Sequence, residues 1–232
     1  MKPGPSEVWL LLDSGACDCA FNMALDEALL ESAANTERPV LRFYGWTQSA
    51  ASFGYFQKAS EIEALTGCHP IVRRPTGGGL VPHDGDWTYS VIIPPTHAWY
   101  ELRASESYER VHLWIQSSFE MLKVPVELAT CCRKEMPGQC FAGYEKSDVL
   151  WLGRKIAGAA QRRTKLGLLI QGSLQPQPAS VTRSQWQHSM MTVASDQWRA
   201  SWQPLVPSKH LLQRALQLAS DKYNRDDYNR RR

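Results

Sequence analysis

The stretch VLWLGRKIAGAAQRR, Val149 to Arg163, sets the architecture expected of this chain. Val149-Leu150-Trp151-Leu152 is an apolar run of strand-forming residues, Lys155 to Ala160 is a second run, and Leu168-Leu169-Ile170 is a third. Gly153-Arg154 stands where a tight hairpin turn is needed. The three runs predict a strand group.

Upstream, Val40 to Tyr44 and Ala51 to Phe56 predict two strands joined by the short polar loop Gly45-Trp46-Thr47-Gln48. Ile71 to Arg74 and Trp87 to Ile93 predict two more, the second closed by Pro94-Pro95. Asn22 to Glu31 reads as an amphipathic helix with Asn22 as its N-cap and Leu25, Ala28 and Leu29 on one face. Ala104 to Leu122 carries Val111, Ile115, Phe119 and Leu122 at helical spacing, and Leu211, Leu212, Ala215, Leu216 and Ala219 mark a last helix. Strands and helices mix with no regular βαβ period and no repeat. The expected class is therefore α+β, a mixed, largely antiparallel sheet flanked by helices. Residues 1–223 are expected to form a single domain, and the charged segment 224–232 a disordered tail.

The composition supports a folded chain. Of 232 residues, 43% are hydrophobic and 21% charged, which rules out disorder as the main state. Lys+Arg 26 against Asp+Glu 23 gives +3, yet Ser208 to Arg232 alone holds seven basic and three acidic residues. The remaining body is near neutral, which argues against a duplex-DNA protein with a broadly basic face. No apolar run approaches the roughly 18 residues of a membrane helix, and Val8 to Leu12 stops at Asp13 without a signal-peptide layout. A soluble, cytoplasmic protein is expected. Six cysteines are too sparse for a disulfide scaffold, and Cys17-Asp18-Cys19 and Cys131-Cys132 lack zinc-ligand spacing, so no metal site is expected.

Three segments carry chemistry. Pro75-Thr76-Gly77-Gly78-Gly79 follows Arg73-Arg74 and leads to His83-Asp84. Three glycines exceed what an ordinary turn needs, and the bare N–H groups of such a loop can hold an anion or a carbonyl oxygen. The loop is neither a Walker sequence nor a Rossmann fingerprint, and a flexible hairpin with solvated arginines is the alternative. Lys155 lies among apolar and tiny residues, including Gly158 and Ala159, that leave room for a ligand, though an exposed hairpin lysine is the plainer reading. Cys140-Phe141 follows the flexible-looking Met136-Pro137-Gly138-Gln139. A lone cysteine is more often inert packing than a nucleophile, but a nearby lysine would raise its thiolate fraction.

Several motifs together resemble the biotin/lipoate A/B protein ligase superfamily. They are Asn22-Met-Ala-Leu-Asp-Glu-Ala, Leu41-Arg-Phe-Tyr-Gly-Trp, Gly54-Tyr-Phe-Gln, Arg73-Arg-Pro-Thr-Gly-Gly-Gly, His83-Asp84, Thr88-Tyr-Ser-Val, Cys140-Phe141 and Gly153-Arg-Lys-Ile-Ala-Gly-Ala-Ala-Gln. Order and spacing match as well, over roughly Val8 to Leu174. The resemblance implies the superfamily's mixed sheet flanked by helices. Within it, Thr88-Tyr-Ser-Val and Cys140-Phe141 are most similar to the octanoyltransferases of the LipM type.

That likeness implies transfer of an octanoyl group from acyl carrier protein to a lipoyl-domain lysine, on the glycine cleavage H protein or a 2-oxoacid dehydrogenase E2. Cys140 would carry the acyl thioester and Lys155 would hold its thiolate. Arg73, Arg74, Thr76, Gly77, Gly78, Gly79, His83, Gly158 and Ala159 would bind substrate. No cofactor is implied, no nucleic acid or membrane partner, and a monomer is expected. Because the partners are usually acidic, Arg73-Arg74 and Arg162-Arg163 with Lys165 are expected docking patches. Two departures keep a ligase in view, one that would use ATP and magnesium. Where the family commonly reads Gln-His-Gly-Ser this chain has Ile170-Gln171-Gly172-Ser173, and the glycine triplet is closer to the ligase version. A non-catalytic binder of acylated carrier proteins is the third reading.

Overall fold

The strand-forming runs alternate with helices from the start of the chain. In the computed structural model, which describes residues 6–134 and 138–231, β1 (Glu7–Cys17) leads into α1 (Cys19–Thr36), followed by β2 (Val40–Trp46) and β3 (Ala50–Phe53). The short α2 (Ala59–Glu63), β4 (Ile71–Arg73), β5 (Val81–His83) and β6 (Trp87–Ile93) come next. After α3 (Ala104–Met121) stand β7 (Val126–Leu128), β8 (Arg133–Lys134), β9 (Gly143–Tyr144), β10 (Val149–Trp151), β11 (Arg154–Thr164) and β12 (Gly167–Leu174). The chain continues through α4 (Arg183–Trp198), β13 (Ala200–Pro204), α5 (Lys209–Leu218), a π-helical turn (Ala219–Tyr223) and α6 (Asp226–Asn229).

The main sheet has eight strands in the order β13-β1-β2-β6-β12-β11-β10-β7, and a smaller sheet runs β4-β3-β5. β1 pairs in parallel with β13 and β2, and the other neighbours in the main sheet are antiparallel. This is the mixed, largely antiparallel sheet that the sequence predicts. Helices cover both faces. On one, α3 and α4 pack a cluster that includes Trp9, Trp99, Trp114 and Trp186, with Trp198 and Trp202 against it. On the other, α1 is wedged between the sheet and α5, which explains why it is buried nearly all round rather than on one stripe. Fully burying one such side chain contributes roughly 1.5–3 kcal/mol.

Three expectations are corrected. Asn22 does not cap α1: Asp18 does, its side chain accepting from Phe21 N at 2.8 Å, and Asn22 is buried one turn inside. Ala51 to Phe56 is a strand only to Phe53 and lies in the smaller sheet, unpaired with β2. It stops there because Gly54 presses on the glycine loop, where a Cβ would come 1.9 Å from Gly78 O. The hairpin turn falls on Leu152-Gly153, both at positive φ, one residue before Gly153-Arg154.

The tail expected to fray from Asn224 is packed. Tyr228 and Asn229 are buried; the Asn229 side-chain oxygen accepts from Arg73 N at 2.8 Å, and the Arg73 guanidinium donates to the Tyr228 and Asn229 carbonyls. A charge-rich composition hides one ring and one amide that fit the end of β4. Among the described residues no group of His, Cys, Asp or Glu is placed to hold a metal ion, and no helix is long and apolar enough to cross a membrane.

Candidate active site

Arg74 organises the glycine loop from within. Its guanidinium donates to Gly77 O at 2.6 Å, Gly79 O at 2.7 Å and Ser52 O at 3.1 Å, so the triplet turns around a cation. Burial brings the Arg74 pKa down to about 10, which leaves it charged at neutral pH. Gly78 sits at φ +84, where a side chain would be strained. The loop's far end is bound to the cysteine segment: Leu80 N donates to Gly138 O at 2.7 Å, and Cys140 N donates to Leu80 O at 3.0 Å. Gly79 permits that approach, since a Cβ there would lie 2.9 Å from both Cys140 N and Gly138 O.

The two residues fifteen positions apart do meet. Lys155 Nζ donates to Cys140 Sγ at 3.3 Å and to Cys140 O at 3.0 Å, and pairs with Asp148 at 2.8 Å. Asp148 is fully buried; it accepts from Glu145 N at 2.7 Å and from the Tyr108 hydroxyl. Burial works against the Lys155 charge, but Cys140 and Asp148 outweigh it and hold the pKa above the usual lysine value. The hairpin makes room for this side chain at Gly158, where a Cβ would fall 2.6 Å from Nζ.

Cys140 opens on a narrow cleft. Met23, Tyr44, Trp46, Val81, Ala159 and Ala160 give it apolar walls, and Ser52, His83, Gln171 and Ser173 give it a polar end. Lys155 faces a second, wider and more polar cleft, with Arg133, Phe141, Tyr144 and Arg154 along it. The pair thus stands where two approaches converge, one suited to an alkyl chain and one to a polar group.

The other expected site residues divide. Gly78, His83, Ala159, Gly158 and Arg74 border the apolar cleft, though Arg74 holds the loop and Gly158 accommodates Lys155. Thr76 is buried and donates to Gln171 Oε1 at 2.8 Å, while Gly77 contributes its carbonyl to Arg74. Arg73 is corrected: it is 0% exposed, away from the cleft, and braces Tyr55 O, Gln57 O and the C-terminal turn. Arg73-Arg74 is therefore not a docking patch, because both guanidiniums are used up inside the fold. In the second expected patch Arg163 and Lys165 are exposed, while Arg162 leans on Glu27 at 3.5 Å. Met136-Pro137 lies outside the described residues.

Asp148, Tyr108, Ser52 and Asp86 were not legible as site residues. Lys146-Ser147-Asp148 has the composition of a surface turn, yet its aspartate is fully buried against Tyr108 of α3 and Lys155 of β11. Gln171 links Thr76 to the buried Asp26, donating to Asp26 Oδ2 at 2.8 Å.

The chain is similar to octanoyltransferase LipM of Anoxybacillus flavithermus, 39% identical over 181 residues, covering 72% of this chain and 65% of that one. It is likewise similar to octanoyltransferase LipM of Bacillus subtilis, at 36% with the same coverage. It spans less than two thirds of these relatives' length. In fold it matches lipoate-protein ligase A bound with ATP, at TM-score 0.78, 20% identity and coverage of 97% and 98%. It also matches the bi-partite lipoate protein ligase of Thermoplasma acidophilum, at TM-score 0.73, 20% identity and coverage of 97% and 96%. Residues 18–201 match a single family description, and the chain belongs to the lipoyl protein ligase A/B catalytic domain family.

Proposed function

We propose that this chain moves an octanoyl group from acyl carrier protein to the lysine of a lipoyl domain through a thioester on Cys140. The observation that carries the reading is the 3.3 Å contact of Lys155 Nζ with Cys140 Sγ at the wall of an apolar cleft. The likeness to octanoyltransferases LipM supports the choice of acyl group.

A thioester donor already carries its activation, so the route needs neither ATP nor a metal ion. In the first half, the Cys140 sulfur attacks the donor carbonyl, the carbonyl's bond to the carrier sulfur breaks, and that sulfur leaves as a thiolate. The Lys155 ammonium balances negative charge first on Cys140 and then on the carbonyl oxygen, and Asp148 keeps it charged throughout. In the second half, the lipoyl-domain amine attacks the acyl-Cys140 carbonyl and Cys140 leaves. The wider cleft beside Lys155 admits the pantetheine arm and then the lysine. The acceptor class is the lipoyl domain of a glycine cleavage H protein or a 2-oxoacid dehydrogenase E2. The chain acts in this reading as one catalytic unit and a monomer.

A second reading, an ATP-dependent lipoate-protein ligase, is favoured by the Gly77-Gly78-Gly79 triplet and would bring ATP and magnesium to that loop. A passive binder would have no use for a buried carboxylate behind Lys155. Incubation with octanoyl carrier protein, or with octanoate and ATP, followed by intact-mass measurement of the enzyme and a lipoyl domain, separates the readings. An ATP-independent adduct that disappears in Cys140→Ser is expected. Transfer only with ATP selects the ligase, and no transfer under either condition sinks both.

A further inference from the structure

A second chain of hydrogen bonds reaches the same cleft from the side opposite the hairpin. Ser52 Oγ lies 2.8 Å from His83 Nε2, and His83 Nδ1 lies 2.9 Å from Asp86 Oδ2. All three residues are buried, and Ser52 and His83 line the cleft onto which Cys140 opens. Asp86 Oδ2 also accepts from Thr88 Oγ1 at 2.9 Å and Ser173 Oγ at 2.6 Å, while Asp86 Oδ1 is buried with no hydrogen-bond partner among the described residues. Burial opposes the Asp86 charge, but His83 and these hydroxyls outweigh it and hold its pKa below the usual carboxylate range.

A carboxylate can only accept, so His83 Nδ1 carries a proton, and in the neutral imidazole that leaves Nε2 as the lone pair facing Ser52. Arg74 Nη1 also donates to Ser52 Oγ at 3.3 Å, which leaves the hydroxyl's own proton available to Nε2 in that state. Trp46 stacks on the imidazole at 3.7 Å and 17°, locking the ring plane. The order hydroxyl, imidazole, carboxylate is that of a proton-accepting triad.

Amide formation requires such an acceptor. A lysine amine that attacks a thioester becomes positively charged and must lose a proton before the product is stable. Lys155 is poorly suited to take it, because it is already an ammonium paired with Asp148 at 2.8 Å and offers no lone pair. Resting on the transferase reading, we propose that Ser52, His83 and Asp86 form the proton relay of the second half-reaction, serving a primary amine that attacks acyl-Cys140. The amine nitrogen bonds to the acyl carbon and the carbon–sulfur bond breaks, leaving a Cys140 thiolate opposite the Lys155 ammonium. The amine's proton passes to Ser52 Oγ as the Ser52 proton passes to His83 Nε2, and the imidazolium is balanced by Asp86. The relay later returns that proton to solvent. Ser52, which shares the apolar cleft with Cys140, meets the amine where the wider cleft opens onto that sulfur; His83 and Asp86 act through it.

The titratable and charged groups around His83 are Asp86 and Asp84 on its own loop, Tyr44 from β2, Arg74 through Ser52, Arg183 from α4, and Cys140 across the cleft. The test separates the two halves of the reaction. In His83→Gln and Ser52→Ala, which both alter the cleft lining, acylation of Cys140 by octanoyl carrier protein, followed by intact mass in rapid quench, is expected to slow far less than discharge, by no more than about tenfold. Discharge to a lipoyl-domain lysine is expected to slow about 100-fold or more, so that the acyl enzyme accumulates. Hydroxylamine, whose weakly basic nitrogen gives up its proton to water after attack without a relay, is expected to discharge the variants as fast as wild type, and raising the pH is expected to recover part of the lysine rate. The inference is overturned if both halves slow together, if hydroxylamine discharge falls as far as lysine discharge, or if neither variant slows discharge. Ser52→Ala tests the same point should His83→Gln fail to fold. If wild type forms no acyl-Cys140 at all, it is the transferase reading that fails.

Discussion

Two buried ion pairs each touch residues that line the apolar cleft, and they differ in what remains to react. Arg42 pairs with Asp26 at 2.7 Å and Lys155 with Asp148 at 2.8 Å, with all four side chains nearly or fully buried. Around the first, everything is inert: Arg42 donates to Ser14 Oγ, Asn22 O and Asn22 Oδ1, and Asp26 accepts from Tyr44, Ser90 and Gln171. Around the second, the lysine's three donors go to a carboxylate, a carbonyl and a thiol sulfur. Only that last acceptor changes charge in a reaction. A planar guanidinium suits a closed network and a compact ammonium suits an acceptor that comes and goes. The first pair fixes α1 to β2, and the second leaves one contact for chemistry.

Changing the cations tests this contrast most severely. Lys155→Arg keeps the charge but not its placement, and acylation of Cys140 is expected to fall about 10²–10³-fold with little change in unfolding temperature, read by intact mass and calorimetry. Equal rates would mean that only net charge matters there.

The second pair extends inward to His112, whose Nδ1 donates to Tyr108 O at 2.9 Å, behind the hydroxyl that holds Asp148. Burial lowers the His112 pKa to about 4, with Asp148 opposing and Lys155 reinforcing. The sign follows from linkage: the unfolded chain binds this proton near pH 6.5 and the folded one only near 4. Stability is thus fully present above pH 6.5 and declines as pH falls to about 4, by on the order of 3 kcal/mol. Urea unfolding at pH 7 and pH 4.5 should show that loss in wild type and much less of it in His112→Gln; parallel losses would refute it.

Arg42→Lys should reverse the outcome of Lys155→Arg. It removes the bonds to Ser14 and Asn22 Oδ1 and the guanidinium lying 4.0 Å over Tyr44, and is expected to destabilise by about 2 kcal/mol. Once folded, the variant should acylate at close to the wild-type rate. A large loss of acylation without unfolding would blur the distinction between the pairs.

Parts of both regions were readable beforehand, for identifiable reasons. α3 and β6 fall within a residue of their predicted bounds because apolar period and β-branched content agree there. α4 was missed because its apolar positions form no clean stripe, although Thr182 and Gln185 form a capping box that marks its start. Cys140 and Lys155 were paired through resemblance, since fifteen residues of separation say nothing about contact. Neighbouring arginines with one composition take opposite places, Arg74 at the cleft and Arg73 at the C-terminal turn, because Arg73 ends β4, Arg74 follows it still bonded to Phe53 O, and successive residues of extended chain point to opposite sides. Ser52 and Asp86 look like ordinary polar strand and loop residues until His83 lies between them.

Gly158→Ala probes the reactive pair with less disruption. The added methyl would meet Lys155 Cε at 2.5 Å, the far end of a flexible side chain, so the ammonium yields rather than the fold. Acylation is expected to fall roughly tenfold, which corresponds to about 1.4 kcal/mol, with unfolding unchanged. Unaltered acylation would show that Lys155 need not occupy its observed place.

The smallest effect concerns the C-terminal turn, which borders neither pair. Asn229→Ala removes the acceptor of Arg73 N and the donor to Tyr223 O, both buried, and is expected to lower stability by about 1–2 kcal/mol in denaturant unfolding. Arg230→Gln, which breaks a half-exposed contact with Glu63 at 2.6 Å, should change stability by less than about 0.5 kcal/mol. Neither should alter acylation, because Arg73 keeps its bonds to Tyr55 O and Gln57 O and Arg74 alone grips the glycine loop. If Asn229→Ala slowed acylation in proportion to its stability loss, the brace at Arg73 and the loop at Arg74 would be one mechanical unit, and the separation between structural and reactive cations would not extend to these two arginines.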